Sequence, residues 1–73
     1  MHGLLINEVE KNEMVYLLKR ELEEILIDLE DNRIDQLVKR SMKNRYQVIF
    51  RLFQRVATEK ECMQYAILKQ KYD

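Results

Sequence analysis

The chain has 73 residues, 13 basic and 13 acidic side chains for a formal net charge of zero, and 47% hydrophobic residues. A domain this small buries only about 60% of its unfolded surface. Its one cysteine and one histidine exclude both an internal disulfide framework and a structural zinc site closed by the chain itself. Self-association or a partner is the remaining reinforcement.

The apolar content is too high for a disordered chain. No apolar run approaches the roughly 18 residues that a bilayer span needs. The opening MHGLLINEVE lacks the basic start and long apolar core of a secretory leader. The expected location is cytoplasmic, a reducing compartment that suits the lone Cys62.

With no proline and a single glycine, Gly3, the chain is expected to be helices joined by very short turns. Residues 1–7 are expected to be a mobile N-terminal segment of one helical domain spanning residues 1–73. Four places show a side-chain acceptor followed three residues later by an acid or amide, the spacing that satisfies free N–H groups at a helix start. They are Asn7 with Glu10, Asn32 with Asp35, Asn44 with Gln47 and Thr58 with Glu61. Thr58 with Glu61 is the best formed, and Asn32 with Asp35 comes second. The spacing predicts helices over about residues 8–30, 33–57 and 59–71, an all-α three-helix bundle made of a helical hairpin plus a third helix.

In the first helix Val15, Leu18, Leu22, Ile25 and Leu29 recur at steps of three and four, which makes one packing stripe. Tyr16, Leu17 and Ile27 lie off it and are surplus apolar surface. Tyr16 and Ile27 are the candidate self-association residues. In the second helix Ile34, Val38, Met42, Tyr46, Ile49, Leu52, Phe53 and Val56 share an arc of roughly 120°. Arg45 falls inside that arc, which predicts a kink near Asn44. Leu37, Val48 and Phe50 fall outside it, Phe50 among the basic residues. In the third helix Cys62, Met63, Tyr65, Ala66, Ile67, Leu68 and Tyr72 spread apolar character around much of the surface, which suits either a helix held between two others or one that docks on another chain.

Charge is segregated along the chain. The first 35 residues hold ten acids and four bases, whereas Gln36 to Thr58 holds six bases and no acid. Lys39, Arg40, Lys43, Arg51 and Arg55 fall roughly opposite the apolar arc of the second helix. Most acids of the first helix likewise lie opposite its own stripe, so only Glu23 or Glu30 with Lys39 or Lys43 are expected to meet at the seam. For the basic stripe a solvated face is the most frequent outcome, a protein-binding face the next, and a nucleic-acid face the last, because six excess acidic charges repel a polyanion.

Catalytic chemistry finds no foothold. The sequence holds no Ser-His-Asp set, no glycine-rich phosphate loop and no cluster of metal ligands. Glu24 and Asp28 share a helix face but no cleft that shifts their pKa values. His2 sits in a terminal segment. Cys62, in the first turn of the third helix, is read as a small core residue beside Ala66, although the helix dipole there favours a thiolate.

The expectation is a non-enzymatic helical adaptor or regulator without cofactor or metal, forming a homodimer or hetero-complex, off the membrane. Arg40, Phe50, Arg51 and Arg55 are its candidate partner-binding residues. The alternative is a nucleic-acid-binding regulator using Lys39, Arg40, Lys43, Arg51 and Arg55.

Overall fold

Asn7 sets the start of the first helix. In the computed structural model, which describes the backbone of residues 1–72 and the side chains of residues 1–65, Asn7 Oδ1 accepts the Glu10 N–H at 2.8 Å. Glu10 Oε1 in return accepts the Asn7 N–H at 3.0 Å. This reciprocal box opens α1 (Glu8–Leu29), with Glu8 and Glu10 favourably placed at the positive end of the helix dipole.

The helix closes through hydrogen bonds from the Glu30 N–H to the Ile27 carbonyl and from the Asp31 N–H to the Asp28 carbonyl, each 3.1 Å long. Asp31 then organises the connection. Its carboxylate accepts the Arg33 N–H at 2.9 Å and pairs with the Arg33 guanidinium. The Arg33 side-chain and backbone hydrogen bonds hold the Asp31 carboxyl below the usual carboxylate range.

This turn corrects the expected start of the second helix. Asp35, not Asn32, is the cap: its carboxylate bonds forward to the Leu37 N–H at 2.7 Å, and α2 runs Gln36–Val56. Residues 33–35 are thereby used by the connection. The helix is also continuous through Asn44. Arg45 does not break it, because Arg45 lies at the margin of the buried arc and its guanidinium pairs with Glu21 of α1.

Thr58 starts α3 (Glu59–Tyr72) as the sequence predicts. Its N–H donates to Glu61 Oε1 at 3.1 Å, and the Glu61 N–H donates to Thr58 Oγ1 at 3.3 Å. Short connections make α1 and α2 an antiparallel hairpin, and α3 turns back on it.

The core takes Leu22, Ile25, Leu26 and Leu29 from α1, Tyr46, Ile49, Phe50 and Phe53 from α2, and Tyr65 from α3. Leu22 and Phe53 are fully enclosed. Tyr65 packs edge-on against Phe53 with ring centres 5.3 Å apart, an arrangement that adds to simple burial. The expected stripe of α1 holds, with Leu26 added and with Val15 and Leu18 half-buried at its end. The side chains of Ala66, Ile67, Leu68 and Tyr72, named as apolar surface in the sequence, lie outside the described residues.

Candidate binding faces on the outer sides of α1 and α2

The buried stripe of α2 decides what its outer side carries. Residues 46, 49, 50 and 53 follow steps of three, one and three, so at 100° per residue the opposite side holds positions 37, 40, 44, 48, 51 and 55 within roughly 80°. All six are exposed. Leu37 and Val48 are 72% and 64% exposed, and they alternate with Arg40, Arg51 and Arg55. Leu37 to Arg55 spans about 27 Å at 1.5 Å per residue.

Phe50 does not belong to this face. It is buried, with its ring stacked near Tyr46 at a centre distance of 6.3 Å. A two-helix hairpin leaves that side of α2 open, but α3 supplies a second wall, so the buried arc is rotated toward Phe50. Leu52 and Val38 are correspondingly exposed.

The charges of the face are available. Of the six cations on α2, only Arg45 has an ion pair among the described residues. Lys39, Arg40 and Lys43 line a shallow hollow with Gln36 at the start of the helix. Arg51 lies on the outer face further along, and Arg55 also lines a second hollow formed where His2, Gly3, Leu4 and Ile6 approach Met14, Leu52 and Val56. His2 has no cluster of ligands about it, since no group of three or more His, Cys, Asp or Glu side chains converges among the described residues.

The outer side of α1 carries Val9, Glu13, Tyr16, Arg20, Glu24 and Ile27, again within roughly 80° of one another. All are exposed, including Tyr16 and Ile27. The seam between the helices differs in part from expectation: among the described residues Glu21 of α1 pairs with Arg45 of α2, while Glu23 bonds to Tyr65. Lys19 meets Glu61 at 3.2 Å. These pairs use the margins of the stripes and leave both outer faces uncovered.

No family model, curated protein or solved structure matches the chain.

Chemistry at single residues is modest. Cys62 is half-buried against the core, and burial, followed by the charges of Glu61 and Glu59, pushes its thiol up. Burial and the neighbouring acids thus work against the thiolate that a helix start favours. Among the described residues no helix is long and apolar enough to cross a membrane.

On the two outer faces, Val9, Leu37 and Val48 are the apolar residues that sequence reasoning did not assign to a site. Their signal was present: Tyr16 to Ile27 and Leu37 to Val48 are both separations of eleven residues, close to three full turns.

Proposed function

We propose that the chain is a small non-enzymatic adaptor or regulatory protein of the cytoplasm that acts through helix–helix contacts with protein, and that the outer face of α2 is its binding surface. One observation carries the reading: exposed Leu37 and Val48 alternate with Arg40, Arg51 and Arg55, none of which is ion-paired among the described residues. Apolar side chains within a charged helix face supply contact area, while the arginines orient the partner and speed encounter. Among the described residues twelve large hydrophobic side chains are exposed and nine form the core, and Leu37 and Val48 share one face with the arginines.

A second reading has its own support. Gln36, Lys39, Arg40 and Lys43 line one hollow, and with Arg51 and Arg55 they form a stripe suited to phosphates. The acidic α1 opposes a polyanion, so protein is the preferred partner class.

Reversing Arg51 and Arg55 to glutamate separates the two. For a protein partner, the double variant loses it in a pull-down from the source cell, nuclease does not release it from the wild type, and nucleic-acid binding is negligible at physiological salt. For nucleic acid, wild-type affinity falls with salt with a log–log slope near −3 to −4 if about four phosphates are contacted. A variant that keeps every interaction returns the stripe to a solvated face.

A further inference from the structure

The other outer face carries its side chains in a register that matches the α2 face. Within the roughly 80° outer arc of α2 the positions, all exposed, run Leu37, Arg40, Asn44, Val48, Arg51, Arg55, with steps of 3, 4, 4, 3 and 4. Taken toward the N-terminus, those of α1 run Ile27, Glu24, Arg20, Tyr16, Glu13, Val9, with the same steps. We infer that a second copy of this chain lays its α1 outer face, antiparallel, on the α2 outer face. The inference rests on the reading of α2 as a protein-binding surface and names the partner.

The register brings like to like and opposite to opposite. Ile27 meets Leu37 and Tyr16 meets Val48, two apolar contacts about 16 Å apart along the helix. Glu24 meets Arg40 and Glu13 meets Arg51. The one cation on the acidic face, Arg20, falls opposite neutral Asn44, and Val9 lies beside the aliphatic stem of Arg55. Glu24 currently pairs with Arg20 at 3.4 Å with both side chains more than half exposed, a weak contact that exchanges readily. A slip of four residues one way sets Arg20 on Arg40 and Tyr16 on Asn44. The opposite slip sets Arg20 on Val48 and Ile27 on Ser41.

Topology agrees with the antiparallel sense. The two outer faces point away from each other across one hairpin, so a copy placed alongside in the same orientation presents its α1 antiparallel to the first copy's α2. Such a contact is head-to-tail: each added copy leaves one face open, and assembly continues past two chains or closes into a ring. It also supplies the reinforcement that a core of this size lacks.

Charge reversal tests this without touching the core. Glu13→Arg with Glu24→Arg makes both faces basic, Arg40→Glu with Arg51→Glu makes both acidic, and the fourfold variant exchanges the signs. Sedimentation velocity over a concentration series is expected to give a mass rising past two chains for the wild type and the fourfold variant. Each double variant is expected to weaken association at least about tenfold with unchanged helicity. Should a double variant unfold, Tyr16→Cys with Val48→Cys in a Cys62→Ser chain serves instead. Those positions lie on opposite sides of one molecule, so oxidation is expected to give a ladder of linked chains.

A monomeric wild type, assembly that stops at two chains, double variants that associate like the wild type, or no ladder each overturns the proposal. If the wild type is monomeric while the Arg51 and Arg55 reversal still costs a protein partner, the α2 reading stands and only the second copy is excluded.

Discussion

Tyr65 donates a hydrogen bond from Oη to Glu23 Oε1 over 2.6 Å, tying the third helix to the first across the core. Burial, then this bond and the Glu23 charge, hold the phenol well above the ordinary tyrosine range. Tyr65→Phe keeps the ring against Phe53 and loses the bond, so stability is expected to fall by about 1 kcal/mol at neutral pH. The folded state keeps the proton that unfolded tyrosine loses near pH 10. The contribution is therefore complete below about pH 10 and is lost as pH rises above it. Melting curves from pH 8 to 11 are expected to show a wild-type advantage that narrows above about pH 10.

At the start of α3 the dependence has the opposite sign. The Thr58 N–H, then Lys19 and the Thr58 hydroxyl, hold the Glu61 carboxyl below its usual range. Its contribution is present above the unfolded carboxylate pKa, about 4.3, and is lost as pH falls through the lower folded value. Glu61→Gln is expected to flatten the acid limb of the stability profile relative to the wild type. Thr58→Ala is expected to cost about 1 kcal/mol with nearly unchanged helix content, and an unchanged denaturation midpoint contradicts its role as the cap.

Phe50 gives a sharper contrast. As a core residue, its replacement by alanine is expected to cost about 3 to 5 kcal/mol, whereas an outward-facing residue there changes stability by less than about 0.5 kcal/mol. Denaturant titration of Phe50→Ala decides between them.

The reason Phe50 was misplaced from sequence is physical. The apolar residues of the second helix span too wide an arc for periodicity to fix its rotation, and α3 selects the stripe through Tyr46, Ile49, Phe50 and Phe53. The first helix has a narrower stripe, so Leu22, Ile25 and Leu29 were legible. Thr58 with Glu61 was legible because the box is local. Asn32 with Asp35 has the same spacing, but the Asp31–Arg33 turn claims those residues first. The matching steps of the two outer faces stand in the sequence, yet they become a surface only once the rotation of α2 is known.

The outer faces of α1 and α2 are proposed as contact surfaces between proteins, with a second copy of the chain as the partner. The most direct measurement is a dilution series followed through the backbone amide signals of the isotopically labelled wild type. Concentration-dependent shifts are predicted to gather at Leu37, Arg40, Val48 and Arg51 on α2 and at Glu13, Tyr16, Glu24 and Ile27 on α1, with the intervening core positions quiet. Signals that stay fixed on both faces, or that move only at residues outside them, contradict it.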